Sequence, residues 1–491
     1  MIIMRKIYKF AILSLMTFVM GSCDLDQYPK DGIATEGAWE NVSDAEKFRT
    51  GLYSLFKGIN GGIYTYSSDY QTDLFNATIS FGNRGGDIYR WDFTSSQYDI
   101  EDIWQYNYQC INNCNNVINN IDKITATTDD DKATLSKIKG EAYLLRAICY
   151  HTLAVRFTED YEPSTATTAL GLPLVKVNDV NAKPSRSTLA ETYTFIKEDI
   201  QSARTNLKTE GAANSIYLTV DVIDALEARV NLYMHNYADA VTLSKKIINK
   251  YPLVTDKDKF AEMWLKDTSS EIIFETFASV DERTNAYPNY LSFSTATETY
   301  QPDFIPAKWI LDLFENSDIR KSTYFLNAPV TCNDETANDV YMLNKYPGNP
   351  DLKKSTYEYY QKHKVFRAAE AYLIAAEAAY MAGGREGEAL GYLNELREKR
   401  GASLLKDLTG IVLLNQIKNE WIREFIGEGN RLNDLKRWHE GFTRHDSQNE
   451  RIVQQGTNYN QLKVEAGNIK FIWEIPANDL KANSNLVPNW K

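Results

Sequence analysis

The 491-residue chain is poor in cysteine, histidine, glycine and proline, and short of basic residues to balance its acids. Five cysteines scattered over this length exclude a disulfide scaffold. Cys110, Cys114, Cys149 and Cys332 read as buried thiols. Cys110 and Cys114 stand at i, i+4, but a metal centre would need two more ligands. The chain has only five histidines, and nothing in the sequence ties Cys149 or His151 to that pair, so no metal and no cofactor is assigned. The 25 glycines and 13 prolines are too few for a collagen-like or linker-dominated chain. With 54 basic against 66 acidic residues the net charge is -12, which repels phosphate backbones and argues against a nucleic-acid partner. No GxSxG, HExxH, P-loop or complete GxGxxG occurs. Gly427 and Gly429 lack the third glycine and the preceding strand. The acids show no pattern that singles out a glycosidase pair.

Long hydrophobic runs are missing too. The apolar run Phe10 to Met20, behind Arg5, Lys6 and Lys9, would span only about half of a ~30 Å bilayer core. It has the length of a signal-peptide core rather than of a membrane helix. Met20-Gly21-Ser22 leads directly into Cys23 and resembles a bacterial lipobox. That resemblance implies cleavage of residues 1–22, lipidation of Cys23 and a mature chain of 23–491. Several acyl chains give durable anchoring where one is marginal.

What the chain does have is apolar material, 43% of residues, arranged mostly at helical spacing. Ser43 to Glu46 reads as a capping box ahead of Phe48, Leu52, Leu55 and Phe56. Residues 102–124 predict a helix with Ile103, Tyr106, Cys110, Cys114 and Val117 on its apolar face. Residues 134–157 predict another, and Thr188 with Glu191 caps a third. Asp221 to Pro252 has the pattern of a tetratricopeptide (TPR) repeat, with Ala228 and Ala240 at close contacts and Tyr237 in the turn. Phe366 to Arg400 repeats the theme around Gly383-Gly384. TPR-like pairs are thus expected within about 102–157, 189–252 and 365–440. Two blocks, about 58–101 and 279–363, lack a period and are read as long functional loops. Short strands are expected at Glu271 to Phe277 and Asn468 to Ile475.

This favours binding over catalysis. The 31 tyrosines, 20 phenylalanines and 9 tryptophans can stack on sugar faces or pack on peptide side chains. The candidate ligand residues come from the two irregular blocks. They are Tyr64, Tyr66, Asn83, Arg84, Trp91, Tyr98 and Asp99 from the first, and Tyr287, Tyr290 and Tyr300 from the second.

The run EFIGEGNRLNDLKRW (Glu424 to Trp438) and the tail IPANDLKANSNLVPNWK (Ile475 to Lys491) resemble signatures of the SusD/RagB family of Bacteroidetes nutrient-binding lipoproteins. So do GEAYLLRAICYHTLAVRF (Gly140 to Phe157), FRAAEAYLIAAEAAY (Phe366 to Tyr380) and EIIFE (Glu271 to Glu275). The resemblance spans nearly the whole chain. It implies a mainly α fold, with TPR-like helical repeats forming a superhelical body beside an irregular, loop-rich half carrying the ligand site. It implies a non-enzymatic, lipid-anchored protein on the cell surface, at the outer membrane. Such a protein captures oligosaccharides or oligopeptides and delivers them to a SusC/RagA-type TonB-dependent transporter. Residues 308–325, the ending Pro488-Asn489-Trp490 and the loop acids Asp99, Glu101 and Asp102 look closer to the RagB branch. Glu428, Asn430, Arg431, Asp434, Arg437 and Trp438 are read as structural locks between a helix and the loop before it. A surface glycosidase or peptidase, and a TPR scaffold that binds only proteins, stay open as alternatives.

Overall fold

The computed structural model describes residues 38–179, 181–445 and 447–490. The leader and Cys23 lie outside the described residues. Among these, the longer helices run Val42–Gly58 (α1), Ile63–Tyr70 (α2), Tyr98–Asn120 (α3), Asp129–Phe157 (α4), Leu189–Asn206 (α5), Val220–Tyr233 (α6), Tyr237–Lys250 (α7), Lys257–Leu265 (α8), Ala368–Met381 (α9), Glu386–Lys399 (α10), Gly410–Phe425 (α11) and Arg431–Arg437 (α12). The strands are short, so the fold is mainly α, as the helical spacing predicts.

The helices pack as sequential pairs. α4 lies against both α3 and α5, α6 against α7, and α9 against α10 and α7. Small residues allow these approaches, and Ala228, Ala240, Ala375, Ala376 and Ala379 are all buried. The α6–α7 turn is held by His235 at φ 62°, and the α9–α10 turn by Gly383 and Gly384 at φ 75° and 66°. Thr188 accepts from the Glu191 amide while Glu191 accepts from the Thr188 amide, the reciprocal cap expected there. The first helix differs from the reading. Its cap is Asn41, whose side chain accepts from the Asp44 amide, and Ser43 already lies inside the helix. Cys110, Cys114, Cys149 and Cys332 are buried free thiols. Unlike the sequence reading, the fold brings Cys149 up beside Cys110, because α3 packs on α4.

The block 279–363 is more regular than its texture suggests. It contains a four-stranded sheet ordered Phe293–Ser294, Thr299–Tyr300, Phe325–Cys332, Glu335–Leu343. A register shift between Ala328 and Val330, flanking Pro329, breaks the period-two pattern that would have announced the hairpin. Residues 58–101 likewise hold α2 and the short turn Gly86–Tyr89. The strand expected at 271–277 is present as Ile272–Glu275, paired with Lys364–Arg367. The one expected at 468–475 is not a strand. Ile469–Phe471 forms a 3-10 turn. Phe471, Trp473 and Ile475 alternate into the core, while the Trp473 amide bonds the Arg156 carbonyl rather than a partner strand.

The signature run folds into ion pairs. Glu424 receives Arg320, Arg367 and Arg400, Glu428 receives Arg367 and Lys345, and Arg437 reaches Glu377 and Asp434. Arg431 meets Asp73, and the Trp438 indole donates to Glu377. Burial would raise the Glu424 carboxyl, but Arg400, Arg367 and Arg320 together hold it well below the usual range. No helix among the described residues is long and apolar enough to cross a membrane.

Candidate functional site

An aromatic core underlies the irregular half. Tyr70 stacks on Phe304 at 3.8 Å between ring centroids, Tyr287 on Tyr346 at 3.7 Å, and Tyr290 tilts over Phe75 at 5.0 Å. Tyr287 and Tyr290 are 1% and 0% exposed. Both were expected to contact ligand, and the structure corrects this, since a ring enclosed on all sides has no face left for a ligand. Trp91 is corrected for the same reason. It is 8% exposed, lies edge-on to Phe471 at 5.0 Å, and donates its indole N–H to the Gln71 carbonyl.

The other candidates divide into two groups. Tyr66 is half-buried on top of the aromatic core, stacked on Tyr70 at 4.8 Å and edge-on to Tyr290 at 6.2 Å. Asp99, Arg84, Asp303 and Tyr98 all act electrostatically on its hydroxyl, which burial raises well above its ordinary range. Tyr98 opens α3 and is 60% exposed. Arg84 forks onto Asp303, with Nε at 3.1 Å and Nη2 at 2.7 Å from Oδ2. Asn83 is exposed at φ 59°, and its Oδ1 accepts from Arg90 at 2.7 Å, which holds the loop ahead of the Gly86–Tyr89 turn. Asp99 is buried with only Gln97 donating to it, at 3.4 Å. Burial, with Asp102 and Asp87 nearby, pushes its carboxyl up to about 6. Tyr66, Arg84, Tyr98 and Asp99 therefore come together at the junction of α2, the Gly86–Tyr89 turn and the start of α3.

Tyr64, two residues before Tyr66 in α2 and so on a different side of that helix, stands edge-on to Tyr106 at 6.5 Å. Tyr106 was placed on the apolar face of its helix, yet it is 42% exposed. Tyr98, Asp102 and Tyr106 are four residues apart and share one face of α3. That spacing was readable in the sequence. Tyr300 belongs elsewhere, in the four-stranded sheet. It lies edge-on to Phe293 at 5.0 Å, and exposed Tyr357 stacks on the same Phe293 at 4.5 Å. Asp303 and Tyr357 were also missed, because each gains its role only through a partner distant in sequence.

A separate cavity of 140 Å³ lies inside the helical body, lined in part by Tyr64, His151, Arg156, Glu428 and Arg437. Glu428 and Arg437 in its wall are ion-paired signature residues, and Tyr64 is the ring it shares with the aromatic cluster.

Comparisons with known proteins fit this architecture. The model of the SusD family matches residues 201–490, and one described as starch-binding, associating with outer membrane, matches residues 40–219. SusD-like protein P25 of Formosa agariphila is 23% identical over 88% of this chain and 90% of its own. The starch-binding protein SusD of Bacteroides thetaiotaomicron is 46% identical over a short stretch, 15% of this chain and 12% of that one. A solved SusD-superfamily structure from Bacteroides thetaiotaomicron superposes with a TM-score of 0.79 at 25% identity, covering 92% of this chain and 100% of the other. The chain belongs to the SusD/RagB family.

Proposed function

We propose that this SusD/RagB-family chain is a glycan-binding lipoprotein of the outer membrane, displayed at the cell surface. The observation that carries the reading is the aromatic cluster in which exposed Tyr98 and Tyr106 on one face of α3 meet half-buried Tyr64 and Tyr66 of α2, with Arg84, Asp303 and Asp99 set beside it. Half-exposed rings on a packed aromatic bed offer flat apolar platforms of fixed orientation. A sugar ring presents a flat C–H face to such platforms, while carboxylates and guanidinium groups bond its hydroxyls directionally. The starch-binding names carried by a matching family and by a relative point to the same ligand class.

Lipidation at Cys23 and delivery of the captured ligand to a SusC/RagA-type TonB-dependent transporter complete the proposal. A capture protein needs no chemistry of its own, so it acts by binding rather than turnover. A second reading has its own support. Asp99, Asp102 and Asp87 concentrate negative charge beside Tyr98, which suits the ammonium groups of an oligopeptide.

The test is a binding panel of oligosaccharides and oligopeptides on the purified mature chain, wild type against Tyr98→Ala and Arg84→Ala. Oligosaccharide binding that both variants weaken is the expected result. Binding of peptides alone moves the ligand class to the second reading, and glycan binding untouched by both variants removes the site. Mass spectrometry of the membrane-extracted protein should find acylated Cys23 as the first residue.

A further inference from the structure

Many buried carboxylates in this protein are met by an arginine. Glu141 is held by Arg49, Asp199 by Arg146, Glu377 by Arg437 and Glu271 by Arg400. Asp160 and Glu162, half-buried on the stretch just after α4, have no lysine or arginine partner among the described residues. Asp160 has an oxygen, Oδ2, that is buried with no hydrogen-bond partner. Glu162 meets only the His439 ring, Nε2 to Oε1 at 2.9 Å. The neighbouring cations are engaged elsewhere. Lys436 donates to the carbonyls of Val155 and Thr158, and Arg437 is taken by Glu377 and Asp434.

A third group completes the cluster. His235, in the α6–α7 turn, brings a ring nitrogen to the two carboxylates. One ligand atom from each of Asp160, Glu162 and His235 lies within 4.8 Å of the others. Ligand atoms around one zinc stand about 3.3–3.6 Å apart, by tetrahedral geometry at bond lengths of about 2.0–2.2 Å. Small side-chain rotations at half-exposed positions close that gap.

We propose that Asp160, Glu162 and His235 form a binding site for one borderline divalent cation, Zn²⁺ in the first instance. Water fills the remaining position, and His439 orients Glu162 through its hydrogen bond, as groups behind metal ligands commonly do. One imidazole with two carboxylates suits zinc. Calcium, by contrast, takes six to eight oxygens and no nitrogen. The ion satisfies the orphaned Asp160 oxygen and ties the end of α4 to the α6–α7 turn. These segments lie about 75 residues apart in sequence, so no local motif announces the site.

The test uses the purified, EDTA-stripped mature chain, titrated calorimetrically with ZnCl₂, CaCl₂ and MgCl₂ and melted with and without each. The expected result is one Zn²⁺ per chain with micromolar or tighter Kd and a Zn²⁺-dependent rise in Tm. Asp160→Asn and His235→Asn should each weaken Zn²⁺ binding at least tenfold and remove the Tm rise, while His445→Ala leaves both unchanged. Asparagine is chosen at 235 because His235 sits at φ 62°, a region asparagine adopts readily. Absence of Zn²⁺ binding overturns the proposal. So does preference for Ca²⁺, or wild-type Zn²⁺ affinity retained in both variants. If one variant fails to fold, the other decides.

Discussion

Two carboxylates, both buried, show how this molecule separates scaffold from surface. Glu424 sits among the helices and receives Arg320, Arg367 and Arg400, which hold it ionised far below its ordinary range. Asp99 sits beneath the aromatic cluster with only Gln97 for a partner, and burial pushes it up to about 6. The first environment has been completed by the chain itself. The second leaves hydrogen-bonding capacity unused, beside tyrosines that still have open edges. For these two carboxylates, the contrast is between a group held by its own chain and one with capacity to spare.

The sharpest way to break that contrast is to remove the completed carboxylate. Glu424→Ala would leave three buried guanidinium groups around an empty space. Breaking a single buried pair costs about 3–5 kcal/mol, and three share this one. The expected outcome is loss of cooperative folding, read by urea denaturation or by failure to express in soluble form. A variant that melts within a few degrees of wild type would show that the network is not the keystone of the helical half.

Trp91→Ala comes next. As a core ring against Phe471, it should cost about 3–5 kcal/mol of stability. Ligand affinity of the folded fraction should stay unchanged. Tyr98→Ala is its mirror image. Tyr98 is 60% exposed, so its loss should leave the melting temperature nearly unchanged but weaken binding by about 1–3 kcal/mol, roughly fivefold or more. If the two variants exchange phenotypes, the division between core and site has been drawn in the wrong place.

The same division decides what was legible in the sequence. Helices, the Thr188–Glu191 cap and the alanine contacts were readable, because they rest on residues three or four apart. The structural role of Glu428, Arg431 and Arg437 followed from the family resemblance and from Leu435 and Trp438 taking apolar spacing. The site was harder. Tyr66, Arg84, Tyr98 and Asp99 lie in one candidate block, and the fold brings them together. Trp91, Tyr287 and Tyr290 have the same composition and neighbours, yet they became core. An aromatic ring in an aperiodic segment has no phase from which burial can be read. The sheet over 325–343 hid for a related reason, since Pro329 and the register shift beside it interrupt the alternation.

The smallest expected effect concerns Asp99 and pH. Its carboxyl is raised in the folded state to about 6, from an ordinary value near 4. Between those two values the folded chain keeps a proton that the unfolded chain has released. Folding therefore binds protons there, and this group's contribution to stability is present below about pH 4 and is lost as pH rises toward about 6. Asp99→Asn removes the ionisation. The variant should match wild type near pH 4 and be the more stable of the two above pH 6, by on the order of 1–2 kcal/mol after solvent screening. Urea midpoints at pH 4, 5, 6 and 7 check it, and a constant difference across the series would show that Asp99 does not titrate in this window. The same titration separates ligand classes. An ammonium on an oligopeptide gains from the negative charge that appears as pH passes about 6, so wild-type affinity should rise there and the Asp99→Asn variant should not follow. A neutral oligosaccharide bonds either form of the carboxyl, and its affinity should stay nearly level across the same range.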